Sequence, residues 1–338
     1  MTRVAIMGGG SWGTGMAMIT SDAGGDVGIC AREQQVAEEI NTKHENSMYH
    51  PGIELPLRIW ASSDPAEVLA GAKVVVLAIP SQTLRDNLAV WEPMVAPDAI
   101  FVSLMKGIEL GTCMRMSEVI VDVTGRDKAQ VAALSGPNLA REIAQRQPAA
   151  TTVACSSADN AQLVAGAVST AYFRPYWTDD MVGTEIAGAA KNVIALANGM
   201  AYGMGFGENS QASIITRGLA EMSRLSAALG GNPLTALGLA GVGDLIATCT
   251  SPLSRNRTFG ENLGRGLTVA ETIERTKQTC EGVKSCQSLL DLAERNGVDM
   301  PITQQVVQVV HHGMSPREML GNFMSRDPKA DQGADTDA

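Results

Sequence analysis

Short apolar runs rich in β-branched residues recur through the first 180 or so positions, each followed by a stretch in which apolar residues return every three or four places. That alternation predicts a doubly wound α/β domain, a parallel sheet covered by helices. Val4-Ala5-Ile6-Met7, Asp26-Val27-Gly28-Ile29-Cys30, Val74 to Ile79 and Ile100-Phe101-Val102-Ser103 read as strands. Ala133-Leu134-Ser135, Thr151 to Ala154 and Tyr172 to Tyr176 read as later ones. The last belongs at an edge, because Pro175 has no N–H to give a sheet interior.

Beyond Gly183 the strand-like runs stop, and Ala, Leu and Met at helical spacing take over. The expected architecture is therefore a Rossmann-like domain over 1–183 followed by an all-α domain over 184–324. The clearest helix is 209–229, where Ile214, Ile215, Leu219, Met222 and Leu225 make an apolar stripe and Arg217, Glu221 and Arg224 lie on another face. From Ser325 the chain is polar and acidic with nothing to bury, so 325–338 is expected to be a disordered tail.

Composition narrows the function. At roughly 100–200 residues per domain, 338 residues suit two domains. With 45% hydrophobic and 18% charged residues the chain is not an intrinsically disordered one. Its formal charge of −10 argues against nucleic acid as a partner, while a few cations in a cleft can still recruit a small anion. Residues 225–243 carry no charge, but Gly230, Gly231, Asn232 and Pro233 interrupt them, so no membrane span is expected. The chain starts directly on a strand with no cationic leader, and the expected location is the cytoplasm. Its six cysteines form no C-x-x-C pair and no ligand spacing with His44, His50, His311 or His312, so reduced structural thiols and no metal are expected.

Gly8-Gly9-Gly10-Ser11-Trp12-Gly13 fits G-x-G-x-x-G directly after a strand and before a helix over 12–22. Gly8 can make the tight turn, Gly10 can let the backbone approach a pyrophosphate, and Gly13 can let helix and strand pack closely. The helix N-terminus then offers free N–H groups to the anion. At the end of the second strand Arg32 favours NADP(H), whereas Glu33 leaves NAD(H) open.

Lys191 is the one charge between Glu185 and Glu208, in a helix-like segment otherwise fit for burial. Desolvation would lower its pKa and suit it to general acid-base work, against the alternative of a lysine whose head reaches water. Lys106 follows the fourth strand at its carboxyl end, where open parallel sheets bind ligands, or else is a surface loop lysine. Ser254 looks like an N-cap, which puts Arg255 and Asn256 on the first turn of a helix. An arginine there opposes the helix dipole unless an anion shares the spot; the alternative is an exposed basic turn.

Gly-Gly-Gly-Ser-Trp-Gly-Thr at 8–14, Ala-Ile-Pro-Ser-Gln at 78–82, Lys-Gly-Ile-Glu at 106–109 and Ser-Gly-Pro-Asn at 135–138 resemble the bacterial NAD(P)-dependent glycerol-3-phosphate dehydrogenases. Ala-Lys-Asn-Val-Ile-Ala at 190–195, Thr-Arg-Gly-Leu-Ala-Glu-Met at 216–222, Gly-Val-Gly-Asp-Leu at 241–245, Ser-Arg-Asn-Arg at 254–257 and Glu-Gly-Val at 281–283 extend the resemblance over nearly all of 1–324. It implies that Lys191 exchanges the proton and that Lys106 contacts substrate and cofactor. It implies substrate contacts at Gly136, Asn138, Asp244, Ser254, Arg255 and Asn256. It implies cofactor contacts at Ser11, Trp12, Arg32, Ala140, Arg255 and Glu281, besides Gly8, Gly10 and Gly13. Two departures, Gly15 where the family usually has alanine and Thr279-Cys280 before Glu281, remove no charged group.

The expected reaction is NAD(P)H-dependent reduction of dihydroxyacetone phosphate, a small phosphorylated three-carbon substrate, to sn-glycerol 3-phosphate for phospholipid synthesis. Lys191 would deliver the proton, Lys106 would stabilise negative charge and Asp244 would orient Lys191. A related two-domain dehydrogenase acting on a hydroxy acid, or a dinucleotide sensor without turnover, are the rivals. The large apolar helical half is compatible with a homodimer, with no interface identified.

Overall fold

The structure, a computed structural model, describes residues 2–276 and 280–325. Eight strands, β1 (Arg3–Met7), β2 (Asp26–Cys30), β3 (Ile59–Ser62), β4 (Val74–Leu77), β5 (Ile100–Ser103), β6 (Val131–Ser135), β7 (Ala149–Cys155) and β8 (Phe173–Thr178), form one sheet in the order β3-β2-β1-β4-β5-β6-β7-β8. The order reverses between β1 and β4, which makes the carboxyl ends of those strands the crevice where such sheets bind ligands. Pro175 lies in β8 at the sheet edge.

Sequence periodicity missed β3. It is a four-residue strand beside β2 whose residues alternate between buried and half-buried, so it carries only two inward positions. The sheet is also not wholly parallel, since β6 and β7 run antiparallel. Residues 136–148 between them hold the Gly136-Pro137-Asn138 turn and a helix of only five residues, and the chain returns beside β6 in the opposite direction.

Helices α1 (Ser11–Asp22), α2 (Gln34–Lys43), α3 (Pro65–Leu69), α4 (Leu84–Trp91), α5 (Met116–Thr124), α6 (Ala140–Ala144) and α7 (Ala158–Ala167) accompany the sheet. From Val4 on, successive residues of β1 and all of β4 are buried, Val4, Ile6, Val74 and Val76 in one core and Ala5, Met7, Val75 and Leu77 in the other. Strands covered on both faces need such continuous apolar runs.

From Met181 onward the described residues hold no strand. Helices α8 (Met181–Gly203), α9 (Glu208–Ala228), α10 (Asp244–Thr250), α11 (Arg255–Gly264), α12 (Val269–Thr276), α13 (Glu281–Arg295), α14 (Pro301–His312) and α15 (Pro316–Met324) build the third core. The helix expected at 209–229 is α9. No helix among the described residues is long and apolar enough to cross a membrane. The expected tail, 325–338, lies outside the described residues beyond Ser325.

Backbone contact between α8 and α11 positions the site. A Cβ at Gly199 would sit 2.1 Å from the Arg257 carbonyl oxygen, and one at Gly260 would sit 2.1 Å from that of Leu196. Glycines on both helices thus let the two backbones touch, which brings the start of α11 beside the middle of α8. Gly260→Ala should force the helices apart and destabilise the fold by about 1–3 kcal/mol, read as a lower urea midpoint with unchanged slope.

Candidate active site

The turn after β1 has the form its glycines require. Gly8 adopts a φ of +128°, and a Cβ there would lie 2.5 Å from the Ala78 carbonyl oxygen. A Cβ at Gly13 would lie 1.9 Å from the Gly8 carbonyl oxygen, so α1 packs on the strand end without a side chain between them. Gly10 is different, because a Cβ there meets nothing within 4 Å. No side chain caps α1 and its first turn holds no acidic residue. A tight turn, an open glycine and uncapped N–H groups at a helix start fit a dinucleotide pyrophosphate.

Of the other sequence-derived cofactor positions, Trp12 and Ala140 lie beside α1, and Arg32 carries one complication. Trp12 is half-buried, and Gly15 faces both the Trp12 ring (3.5 Å) and the Ala140 carbonyl oxygen (3.7 Å) from its would-be Cβ. These are ordinary contacts, so glycine at 15 marks no steric demand. Arg32, just past β2, is 90% exposed at its side chain and paired at 2.5 Å with its neighbour Glu33. The two readings of that position thus meet in one ion pair: the guanidinium faces solvent, and a carboxylate occupies it.

Lys191 lies on α8 with 9% of its side chain exposed. Its Nζ donates to Asp244 Oδ1 (2.8 Å) and to Thr248 Oγ1 (2.7 Å). Lys106, in the loop after β5, donates to the other carboxylate oxygen, Asp244 Oδ2 (2.5 Å), and to the Gly136 carbonyl (3.3 Å). Two ammonium groups therefore share one carboxylate that is 3% exposed.

Burial is the main force on Lys191 and pushes its pKa down to about 8; Lys106 pushes the same way while Asp244 resists. Burial by itself would raise the Asp244 carboxyl, but the two ammonium groups outweigh it and hold it below the usual range. Asp244 stays ionised and Lys191 is poised close to neutrality, the condition for moving a proton in either direction.

The remaining residues divide into those near this pair and those spent on framework. Ser254 caps α11 through the Arg257 N–H (3.2 Å), as expected of it. Arg255 is exposed on the first turn and makes no ion pair among the described residues. Asn256 is buried, donating to Asn192 Oδ1 (2.9 Å) and accepting from the Gly282 N–H (3.0 Å). Asn192 in turn donates to the Lys106 carbonyl (3.2 Å). Glu281 accepts from the N–H groups of Ser81 (3.0 Å) and Lys106 (3.3 Å), tying α13 to the loops after β4 and β5. The Asn138 carboxamide is placed on β7, donating to the Ala150 carbonyl (3.1 Å) and accepting from Thr151 Oγ1 (2.9 Å).

Sequence reasoning missed four members of this constellation. Thr248 stands four residues after Asp244, on the same helix face, a spacing that could have paired them. Asn192 and Gln82 carried no signal of their own. Gln82 braces the Lys106 loop by donating to the Ile108 carbonyl (2.8 Å) and accepting from the Leu110 N–H (2.9 Å). Glu185, a charge in an apolar helix start, was legible as unusual. It accepts from the Ser117 N–H and the Arg115 guanidinium, each at 2.8 Å, and anchors α8 to α5.

Comparison with known proteins matches both halves of the chain. The model of the NAD-dependent glycerol-3-phosphate dehydrogenase N-terminus matches residues 3–161, and that of the C-terminus matches 180–321. Glycerol-3-phosphate dehydrogenase [NAD(P)+] of Streptomyces avermitilis is 56% identical over 330 residues, covering 98% of this chain and 98% of the relative. That of Thermobifida fusca is 55% identical over 333 residues, covering 98% and 99%. The crystal structure of glycerol-3-phosphate dehydrogenase from Coxiella burnetii superposes with a TM-score of 0.90 at 32% identity, covering 96% of this chain and 98% of that one.

Proposed function

The chain belongs to the NAD-dependent glycerol-3-phosphate dehydrogenase family and interconverts dihydroxyacetone phosphate and sn-glycerol 3-phosphate with NAD(P), and from that premise we propose that Lys191 exchanges the proton of the reaction. The observation that carries this is the way the buried Lys191 and the half-buried Lys106 spend their hydrogens. An ammonium has three N–H donors. Lys191 gives two to Asp244 and Thr248, and Lys106 gives two to Asp244 and Gly136, so each keeps one for a substrate oxygen.

Bound NAD(P)H supplies hydride to the carbonyl carbon of the substrate. Gly8 to Gly13 and the start of α1 would hold its pyrophosphate, and Trp12, Arg32, Ala140 and Glu281 would contact other parts of it. Asp244 and Thr248 fix the Lys191 amine, which transfers its proton to the substrate oxygen as negative charge develops there. Lys106 stabilises that charge through its spare N–H. In the oxidation direction Lys191 must be the free base and take the hydroxyl proton.

Arg255, Ser254 and Asn256 at the start of α11 hold the substrate phosphate, where a guanidinium and free N–H groups converge. Gly136 acts through Lys106, whose ammonium donates to its carbonyl at 3.3 Å. Binding at the phosphate is remote from the reacting carbon and serves orientation. Arg255→Ala should therefore raise the KM for dihydroxyacetone phosphate about 10- to 100-fold and change kcat by less than about threefold, in steady-state assays at saturating NADPH.

NADP(H) is the preferred dinucleotide and NAD(H) a second one, because the exposed Arg32 can meet a 2′-phosphate while Glu33 competes for it. A dinucleotide unit over 1–183 and a substrate unit over 184–324 are supported by the split of the family models and by the separate helical core. The six unpaired buried cysteines suit a reducing cytoplasm. Exposed Leu234 and Leu237 offer a homodimer a contact, to be tested by light scattering. The product supplies phospholipid synthesis.

Following the absorbance of NADPH, then NADH, with dihydroxyacetone phosphate and with unphosphorylated dihydroxyacetone tests the reading. Rapid oxidation only with the phosphorylated ketone, faster with NADPH, is the expected result. Turnover of a hydroxy acid instead, or NADPH binding without any turnover, would overturn it.

A further inference from the structure

Two side chains outside every sequence motif hold the glycine turn from behind. Between α2 and β3 the chain runs irregularly over residues 44–58, yet within that stretch Asn46 is fully buried and His50 is only 3% exposed. Polar side chains in a connecting loop ordinarily face water. Here they are spent on the turn. Asn46 Nδ2 donates to the Gly9 carbonyl (3.0 Å) and to Thr14 Oγ1 (2.9 Å), and His50 Nε2 lies 2.7 Å from the Ser11 carbonyl. A carbonyl can only accept, so His50 carries its proton on Nε2; burial holds this imidazole below the ordinary histidine range, in its neutral form.

The consequence follows from peptide geometry. Among the described residues no peptide bond is cis, and in a trans peptide the carbonyl and the next N–H point in opposite directions. Drawing the carbonyls of Gly9 and Ser11 toward the 44–58 segment therefore turns the N–H groups of Gly10 and Trp12 away from it. Those two groups belong to the open glycine and to the first turn of α1, the donors expected to receive pyrophosphate.

We infer that Asn46 and His50 are positioning residues for the dinucleotide, a clamp that presets the donors of the glycine turn and so sets cofactor affinity without entering the proton or hydride step. The inference rests on the dinucleotide reading of that turn. A donor group fixed before binding loses less freedom when the ligand arrives, and the gain shows in Kd.

The test is calorimetric titration of His50→Leu, His50→Gln and Asn46→Ser with NADPH and with ADP, which shares the pyrophosphate, beside kcat at saturating NADPH. His50→Leu should weaken both ligands by about tenfold, and His50→Gln, which keeps a donor at the Nε2 position, should recover affinity to within about threefold. Asn46→Ser should weaken both ligands likewise, and it decides the matter if His50→Leu does not fold. In every variant kcat at saturating NADPH should stay within about twofold of wild type. Unchanged Kd in His50→Leu and Asn46→Ser, equal losses in the leucine and glutamine variants, or a fall in kcat at saturation would overturn the clamp. Wild-type protein that binds neither ligand would overturn the dinucleotide reading and the clamp together. If it binds NADPH but leaves dihydroxyacetone phosphate unreduced, the dehydrogenase reading falls and the same Kd comparisons still decide the clamp.

Discussion

Lys191→Met should lower kcat for reduction of dihydroxyacetone phosphate by about 10³-fold and leave its KM within about threefold, because a positioned general acid contributes roughly 10²–10⁴-fold to the rate. Methionine matches the lysine stem and keeps the packing of α8, so loss of the amine is isolated from loss of shape. The wild-type pH profile supplies the second half of the expectation. With its pKa near 8, Lys191 is protonated at neutral pH and loses its proton as pH rises through that value. Reduction, which consumes the proton, should then slow above pH 8, whereas oxidation of glycerol 3-phosphate should quicken through the same range. Opposite limbs for the two directions with one midpoint would identify a single group. A Lys191→Met enzyme that keeps both limbs would assign them elsewhere.

Asp244→Asn should be the most damaging change outside Lys191, because one carboxylate balances two ammonium groups at 2.8 and 2.5 Å. Removing it leaves the buried Lys191 ammonium facing the half-buried one of Lys106, and breaking a buried ion pair in this way costs about 3–5 kcal/mol. The urea midpoint should fall accordingly. Catalysis should change in a diagnostic way as well. The attraction that resists the downward push on Lys191 disappears, while burial and Lys106 continue to act. The alkaline limb of reduction should therefore move to lower pH by about one unit or more. A variant with the wild-type midpoint would mean that Asp244 packs beside Lys191 without setting its charge. Thr248→Val tests the neighbouring hydrogen bond and should act more weakly, since it removes a neutral partner at 2.7 Å and leaves the carboxylate.

The features legible in the chain were those whose physical cause is local. Gly8 and Gly13 could be read because a turn between strand and helix has few solutions and each glycine answers a steric demand at its own position. Lys191 stood out because one charge in an apolar helix is anomalous wherever the helix is placed. Ser254 was read correctly as a cap, since capping is settled within three residues. Glu185 carried the same anomaly as Lys191, but nothing along the chain names the helix it anchors to. β3 escaped because four residues at a sheet edge hold too few inward positions to display a period.

By itself, then, the sequence determined the alternating sheet-and-helix half, the helical half, the glycine turn between strand and helix and the anomaly of a lone lysine in an apolar helix, because hydrophobic period, turn sterics and capping act over a few residues. Only the tertiary structure decided which partners those groups meet. Lys191 finds Asp244 across 53 positions, Lys106 finds it across 138, and Asn46 reaches back 37 to the Gly9 carbonyl. A buried polar group must pair with whatever donor or acceptor the packing brings within about 3 Å, and that distance is set by how closely helix backbones approach, here through the glycines of α8 and α11.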